Sequence, residues 1–499
     1  MTLLIIGHDF HYEMERLTRV FFPGEKIAVT DCRRSVENAD GGYILTRRQT
    51  ANGKIALSVY LNISGTCLSG KDYLEEGADD REIEVTLSKI LFKMLCDFTG
   101  IRPPWGILTG VRPVRLMRNL ITSGLSESRA RDHFISEFMV LPGKADLALS
   151  TMRVQQRIDA GAKAKSYSLY VSIPFCPTRC LYCSFVSHAV DKVGKLIPKY
   201  LEALLRELEV VGEVADKLGL RLNTIYIGGG TPTVLLPEEL ELLLQKIAEY
   251  FPVSCIREYT VEAGRPDSIS REKLGVIQNY GANRISINPQ TMDDAILKEI
   301  GREHSSADVV SAFHLARKMG FDNINMDLIA GLPGDTINSF KSTLEKIVAL
   351  QPDSITIHTL TVKRSSHLRA SPDAFKDCGY HLSEQLLLSQ KMLCGAGYFP
   401  YYLYRQQGTR QNQENVGYAL PGKEGLYNIV SMEEMQTILA AGAGGVTKLC
   451  GPQGRIVRVA GYKYPYEYID HFDEILLRKK VIANFYNNPT DDKYERMIP

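Results

Sequence analysis

Three cysteines lie within eight residues in the stretch SIPFCPTRCLYCSF, which runs from Ser172 to Phe185. Three residues separate Cys176 from Cys180, and two residues separate Cys180 from Cys183. Soft thiolate ligands at such short spacing indicate a metal centre, although the sequence offers no obvious fourth ligand. The chain has ten cysteines, and the other seven are scattered. In a reducing cytosol those seven are expected to be small buried apolar residues.

Two kinds of metal centre fit the three cysteines. Structural zinc usually has four protein ligands, and His188 could supply the fourth. A 4Fe–4S cluster needs fewer protein ligands, because the cluster brings its own bridging sulfides and one iron can remain open. Three thiolates from one tight loop favour the cluster, with zinc as the alternative.

The elements around this loop alternate between strand and helix. From about residue 168, six short apolar strands are each followed by a helical pattern, ending near residue 396. This alternation predicts parallel strands joined by right-handed crossovers, in either a (β/α) barrel, complete or not, or a doubly wound sheet. Residues 1–160 are predicted to form a separate α+β domain of unknown role. Residues 161–396 are predicted to form the core, and residues 397–499 a C-terminal extension.

Composition narrows the class of protein. The formal net charge is +1, which argues against a dedicated nucleic-acid binder because such proteins usually carry a large basic excess. No stretch of sequence reaches the apolar length of a membrane span. The first residues lack the basic lead and long apolar core of a secretory signal. We therefore expect a soluble, cytoplasmic protein.

Other candidate site residues follow the predicted strands. The stretch GGGTPT (228–233) ends the second strand, where glycines permit close backbone approach to a ligand or simply form a tight turn. The missing Lys-Ser/Thr argues against a nucleotide P-loop. Parallel barrels carry their chemistry at the carboxyl ends of strands. Four polar residues lie there, and each alone could be a helix cap or a surface charge: Glu262, Gln290, Arg302 and Asp327.

Taken together, these motifs resemble a known family. In order, YVSIPFC, GGGTPT, NRISINPQ, GREH and MDLIAGLPGDT resemble the radical S-adenosylmethionine (SAM) superfamily, within the subfamily of oxygen-independent coproporphyrinogen III oxidases. The resemblance covers about residues 165–450, and the length and N-terminal extension are most similar to the HemZ-type coproporphyrinogen dehydrogenase branch. It implies a partial (β/α)6 TIM-type barrel, with an extra N-terminal α+β domain and a C-terminal extension that covers the barrel.

The resemblance also assigns roles to residues. Cys176, Cys180 and Cys183 would hold a 4Fe–4S cluster whose fourth iron stays open. The residues that it implies for SAM binding are Tyr170, Tyr182, Gly229, Gly230, Thr231, Glu262, Gln290, Arg302, Asp327 and Leu360. Carboxylates suit the positive groups of SAM, and an arginine suits its carboxylate.

The implied reaction is a radical oxidation of a tetrapyrrole. The cluster would take one electron from a donor such as flavodoxin or ferredoxin and cleave SAM. The resulting radical would abstract hydrogen from a propionate of coproporphyrinogen III, which loses carbon dioxide to give protoporphyrinogen IX in haem biosynthesis. Arg405 and Arg410 could bind the substrate carboxylates or belong to a solvated loop.

Two positions depart from the best-known oxidase branch. That branch has a cysteine where this chain has Phe185, and a histidine where this chain has Ser172. Phe185 instead resembles a haem-chaperone branch. A haem-binding or trafficking protein, or a haem-modifying radical SAM methyltransferase, therefore remains the alternative to the oxidase.

Overall fold

Residues 1–31, 42–158, 165–183, 188–361, 381–406 and 412–487 are described by the computed structural model. The chain divides into two compact units. The first comprises Met1–Met152 with Leu403–Glu414, and the second comprises Arg153–Tyr402 with Asn415–Pro499. Among the described helices, none is long and apolar enough to cross a membrane.

The first unit is an α+β structure. Its elements are β1 (Thr2–Ile6), α1 (His11–Phe21), β2 (Ala28–Thr30), β3 (Tyr43–Ala51), β4 (Lys54–Ile63), β5 (Thr66–Glu75), α2 (Asp80–Thr99), α3 (Pro113–Thr122), α4 (Glu127–Ser136) and α5 (Pro142–Arg157), the last of which continues past Met152. Five strands form a sheet in the order β2-β1-β3-β4-β5. Asn52 and Gly53 join β3 to β4 with positive φ at both residues, as a tight hairpin turn requires.

The remaining described chain alternates strand and helix before a strand-rich end. Its elements are β6 (Ser166–Ile173), β7 (Phe175–Cys176), β8 (His188–Ala189), α6 (Val190–Val193), α7 (Ile197–Lys217), β9 (Arg221–Gly229), α8 (Pro237–Tyr250), β10 (Glu258–Glu262), α9 (Arg271–Asn279), β11 (Arg284–Ser286), α10 (Asp294–Glu299), α11 (Ser306–Lys318), β12 (Ile324–Ala330), α12 (Ile337–Leu350), β13 (Ser354–Thr359), α13 (Leu382–Gly395), β14 (Phe399–Arg405), β15 (Glu414–Ala419), α14 (Leu426–Glu433), β16 (Thr437–Ala441), β17 (Val446–Cys450), β18 (Ile456–Ala460), α15 (Pro465–Asp470) and α16 (Phe472–Asn487).

The six predicted strands form the middle of one sheet. Strands β6, β9, β10, β11, β12 and β13 are neighbours in the same order as in the sequence, and each pair is parallel. In a doubly wound sheet the order would reverse partway, so sequential order identifies the barrel type. The predicted partial (β/α)6 barrel is confirmed.

The C-terminal strands extend this sheet at both edges. Strand β15 pairs antiparallel with β13, and β16 pairs parallel with β6 and antiparallel with β17. An edge strand presents unpaired backbone N–H and C=O groups, which an added strand satisfies. From Asn415 on, the described chain belongs to the same compact unit as the six strands, within the C-terminal extension that the sequence predicts from residue 397.

Buried polar groups close the N-terminal end of the barrel. Arg284, at the start of β11, donates from Nη2 to Ser354 Oγ at 2.9 Å. Glu258, at the start of β10, accepts from the backbone N–H groups of Leu426 and Tyr427, which open helix α14. A carboxylate is a suitable partner for these helix N–H groups, because they have no intrahelical acceptor. The opposite end, where the strands finish, is where the candidate site residues lie.

Candidate functional site

The three clustered cysteines follow β6 in the segment Cys176–Cys183, here called the cysteine loop, which begins at the last residue of the short strand β7. Cys180 is 8% exposed, and Cys176 and Cys183 are half-buried. Backbone hydrogen bonds fix the loop, because Cys183 N donates to Cys180 O at 3.1 Å and Leu181 N donates to Ile300 O at 3.0 Å. The loop is thereby bonded to the segment that carries Arg302.

Two arginines contact the middle cysteine. Arg265 Nη1 lies 3.7 Å from Cys180 Sγ. Arg302 also hydrogen bonds to Cys180, donates from Nη1 to Asn288 O at 2.5 Å, and lies with Nε 3.3 Å from the Tyr182 hydroxyl. Guanidinium groups stay charged, so this loop is prepared to hold an anionic sulfur.

The glycine stretch brings the end of β9 against the cysteine loop. Gly230 N donates to Ile173 O, and Thr231 N donates to Phe175 O, both at 2.7 Å. Thr231 Oγ1 lies 3.5 Å from Cys176 Sγ. A Cβ on Gly230 would meet Phe175 O at 2.4 Å, so no larger residue fits at this position. The glycines therefore serve the approach of two chain segments, which the sequence alone did not specify.

Replacing Gly230 by alanine is expected to displace the cysteine loop. The added Cβ would clash with a backbone carbonyl, and such overpacking costs about 1 to 3 kcal/mol. We expect a lower melting temperature and less bound iron per chain after anaerobic reconstitution. Gly275→Ala is the control, because its Cβ would meet only Met319 Cε at 3.8 Å within helix α9. Wild-type stability and iron content in Gly230→Ala would contradict this account of the glycine.

Two carboxylates lie beyond the glycines, Glu262 on strand β10 and Asp327 on strand β12. Glu262 ends β10 and accepts from the Tyr226 hydroxyl at 2.5 Å. Burial raises the pKa of Glu262 to about 7, a hydrogen bond from Tyr226 opposes this rise, and the nearby Asp327 adds to it. At neutral pH the Glu262 carboxyl is therefore close to half protonated and can gain charge when a cation binds.

Asp327 has the opposite balance. Burial acts to raise its pKa, but the neighbouring His358 and a hydrogen bond from Asn325 outweigh burial, so the pKa of Asp327 lies below the usual value. Asn325 Nδ2 donates to Asp327 Oδ1 at 2.7 Å, and His358 Nε2 lies 3.6 Å from Asp327 Oδ2. The side chains of Asp327 and His358 are 18% and 32% exposed, although the strand residues beside them are buried. Both side chains are therefore partly accessible, and the lowered pKa keeps Asp327 anionic.

Gln290 is held in an unusual backbone conformation next to Asp327. Its φ is +69°, in the left-handed region that residues other than glycine seldom adopt. Gln290 N donates to Asp327 O at 2.9 Å, and Gln290 O accepts from Ile329 N at 3.0 Å. Its buried Oε1 has no hydrogen-bond partner among the described residues. A buried amide oxygen without a donor is costly, and a bound ligand could supply one.

Apolar residues complete this side of the site. Tyr182 and Leu360 pack against one cluster of buried side chains, formed by Ile296, Leu297, Ile300, Ile329 and Leu332. The structure thus brings the cysteine loop and the end of β13 onto the same apolar surface.

Tyr170 lies in an aromatic stack. Its ring centroid is 6.3 Å from that of Tyr226 and 6.2 Å from that of Tyr427, and the rings of Tyr226 and Tyr427 are 4.5 Å apart. Tyr226 in turn contacts Glu262. Tyr170 therefore reaches the carboxylate through the stack, whereas Tyr182 is bonded to Arg302.

Ser172 and Arg405 have packing roles. The Ser172 hydroxyl donates to Ala443 O at 2.7 Å. A Cβ on Gly229 would lie 2.8 Å from Ser172 Oγ, so Ser172 leaves no room for a side chain at position 229. The buried Arg405 donates to the carbonyls of Leu108 and Gly110, so it is not a solvated residue. Phe185 and Arg410 lie outside the described residues.

Several residues of this site were not predicted from the sequence. Arg265 follows the third barrel strand in the stretch EAGRPDS, so its place after a strand end was a usable signal. His358 lies inside the sixth strand in TIHT, with its side chain on the face of Asp327. Tyr427 belongs to the C-terminal segment, and no local pattern predicts that it stacks on Tyr170 and Tyr226.

These residues fit an iron–sulfur cluster better than a single metal ion. Within the described ranges, no three His, Cys, Asp or Glu side chains lie where they could share one ion, and no disulfide joins the cysteines of the loop. In a cluster each thiolate binds a different iron, so the three sulfurs need not converge on one point. The arginines at Cys180, the glycine approach and the unsatisfied Gln290 Oε1 suit a cluster with a polar ligand beside it.

Sequence comparisons with known proteins agree with this arrangement. A family model described as the Radical SAM superfamily matches residues 170–347. The chain is 39% identical over 404 residues to the oxygen-independent coproporphyrinogen-III oxidase-like protein HemZ of Bacillus subtilis, covering 79% of each chain. It is 38% identical over 197 residues to the heme chaperone HemW of Bacillus subtilis, which is 39% of this chain and 51% of that relative. Among solved structures it is similar to the coproporphyrinogen III oxidase HemN from Escherichia coli, with 24% identity, a TM-score of 0.48, and coverage of 65% of this chain and 72% of that one.

Proposed function

This chain belongs to the oxygen-independent coproporphyrinogen III oxidase-like family of radical SAM proteins, and from that premise we propose that it oxidatively decarboxylates coproporphyrinogen III to protoporphyrinogen IX. Members of this superfamily use a 4Fe–4S cluster and SAM. The observation that carries the proposal is the 39% identity to an oxidase-like relative over 79% of both chains, well beyond the cluster motif.

The three thiolates of Cys176, Cys180 and Cys183 hold the cluster in this proposal, and the arginines beside Cys180 balance their charge. When bound, the reduced cluster and SAM would supply a 5′-deoxyadenosyl radical, which would take a hydrogen atom from a propionate β-carbon and leave as 5′-deoxyadenosine. The substrate radical would then lose carbon dioxide and pass one electron to an external acceptor, which leaves a vinyl group. The protein's own contribution is to bind, orient and exclude water.

The candidate SAM contacts divide by charge. Glu262 and Asp327 face the positive groups of SAM, and Arg302 faces its carboxylate. The Gly229–Thr231 segment supplies backbone and hydroxyl contacts at the methionine end. Gln290 accepts a hydrogen bond from SAM at its Oε1, and Leu360 packs against the adenosyl group. Tyr170 and Tyr182 lie at the edge of the site, where Tyr170 contacts Tyr226 and Tyr182 contacts Arg302.

The proposal includes an external electron source. A small one-electron carrier such as flavodoxin or ferredoxin would reduce the cluster, and the protein would work in the cytoplasm on a tetrapyrrole. No nucleic acid is needed for this chemistry, and the near-neutral net charge is consistent with that.

Product analysis tests the proposal. Anaerobically reconstituted protein is incubated with a strong reductant, SAM and coproporphyrinogen III, and vinyl-containing porphyrins and carbon dioxide are quantified after oxidation. We expect products that depend on SAM, with about one carbon dioxide for each vinyl group. Cys180→Ala serves as the control without a cluster. Unchanged coproporphyrinogen, in a preparation that cleaves SAM, would contradict the oxidase assignment.

The similarity to the heme chaperone HemW supports a second candidate, a haem-binding or trafficking protein on the same scaffold. A methyltransferase that modifies haem is a third possibility for the same cofactors. Haem titration separates them: a chaperone binds haem stoichiometrically without turnover, a methyltransferase converts haem in a SAM-dependent reaction, and the proposed oxidase does neither.

A further inference from the structure

Arg265 is fixed so that one of its N–H groups faces the cysteine loop. It is 3% exposed and lies in the loop after β10. Its Nε and Nη2 both donate to Asp267, each at 3.1 Å, and its Nη1 lies 3.7 Å from Cys180 Sγ. A guanidinium has five N–H donors in a rigid plane, so two bonds to one carboxylate determine where the remaining donors point.

A second layer of contacts holds the carboxylate. His304 Nδ1 lies 3.7 Å from Asp267 Oδ1, and the His304 side chain is fully buried. Burial opposes ionisation of Asp267, but the nearby His304 and the two hydrogen bonds from Arg265 outweigh it and keep the pKa of Asp267 well below its usual value. Ser268 Oγ donates to Arg265 O at 2.7 Å and also contacts Thr233 Oγ1 at 2.7 Å. The arginine is therefore held at its side chain and at its backbone.

We infer that Arg265 is a positioning residue that raises the reduction potential of the cluster by donating an N–H to the sulfur of Cys180. Hydrogen bonds to cluster sulfurs and nearby positive charge stabilise the reduced, more negative cluster, and both are levers that proteins use on such potentials. Arg302 touches the same sulfur but also bonds to Tyr182 and Asn288. Arg265 has the carboxylate of Asp267 and the sulfur as its side-chain partners. The inference concerns the cluster and holds whichever tetrapyrrole is the substrate.

The test is an anaerobic redox titration of the reconstituted cluster, followed by electron paramagnetic resonance, in the full chain without substrate. Arg265→Met should shift the midpoint potential to more negative values by at least a tenfold change in the reduction equilibrium, about 59 mV for one electron. Arg265→Lys keeps the charge but cannot bind Asp267 through two bonds and also donate to the sulfur, so we expect a smaller shift in the same direction.

Arg317→Met is the matched control. Arg317 is also paired with a carboxylate of this unit, Asp353 at 2.7 Å, but within the described residues it makes no hydrogen bond or ion pair with the cysteine loop, so its loss should leave the potential unchanged. A full cluster at the wild-type potential in Arg265→Met or Arg265→Lys would overturn the inference. Loss of the fold or of the cluster in both variants would also overturn it, because Arg265 would then be a structural residue of the loop and not a tuning one.

Discussion

Cys180→Ala is expected to abolish the reconstituted cluster while leaving the chain folded. Cys180 is the most buried of the three cysteines and the one that both arginines contact, so neither solvent nor a neighbouring side chain can replace its sulfur. Iron and acid-labile sulfide should fall from about four of each per chain to near zero, since a 4Fe–4S cluster held by three thiolates loses a third of its protein ligands. SAM cleavage should fall with them.

Cys255→Ala is the control for this result. Cys255 is exposed, so the burial expected for the scattered cysteines was wrong for it, and it lies outside the loop. Its loss should therefore change neither iron content nor SAM cleavage. Metal analysis of the wild type also separates the two centres that the spacing allowed, because a zinc site would contain zinc and no sulfide. Full retention of iron and sulfide in Cys180→Ala would disprove the assignment of the loop.

Glu262→Gln is expected to weaken SAM binding at least thirtyfold at pH 7.5, which corresponds to about 2 kcal/mol, the lower end for loss of one partner of a buried charge pair. The substitution preserves the shape of the side chain and its acceptor for the Tyr226 hydroxyl. It removes the negative charge that is proposed to face the positive groups of SAM. Anaerobic calorimetry with the reconstituted protein measures the affinity.

The pH dependence of SAM affinity provides a second test of the role of Glu262. Because burial raises the pKa of Glu262 to about 7, the carboxyl must release a proton on binding a cation below that pH. Wild-type affinity should therefore fall about tenfold for each pH unit below 7 and level off above it. The slope should vanish in Glu262→Gln and persist in Glu249→Gln, an exposed acid on helix α8. Equal slopes in wild type and Glu262→Gln would contradict this role.

The parallel strands were predictable because their signals are local. Apolar strands and amphipathic helices alternate, and each βαβ crossover has a fixed hand, which left a barrel and a doubly wound sheet as alternatives. The family resemblance implied the barrel, and the observed strand order confirms it. The positions of Glu262 and Asp327 followed from the same rule, since parallel strands end at one edge. The cysteine spacing and the glycine stretch were equally readable from the sequence.

The rest depends on contacts between distant segments. The first N–H group of helix α14, that of Leu426, donates to the carboxylate of Glu258, which lies more than 160 residues earlier in the sequence. This bond places Tyr427 against the rings of Tyr170 and Tyr226. No pattern near Tyr427 indicates that position. Similarly, the Ser172 hydroxyl donates to the carbonyl of Ala443, 271 residues later in the chain, and no local pattern indicates that partner.

The most direct test of the central claim follows the abstracted hydrogen. Coproporphyrinogen III deuterated at the propionate β-carbons is incubated anaerobically with the reconstituted protein, reductant and SAM, and the 5′-deoxyadenosine is examined by mass spectrometry. The proposed oxidase should transfer one deuterium to 5′-deoxyadenosine in step with vinyl formation. Unlabelled 5′-deoxyadenosine with no change in the porphyrin would contradict the claim and direct attention to haem as the ligand.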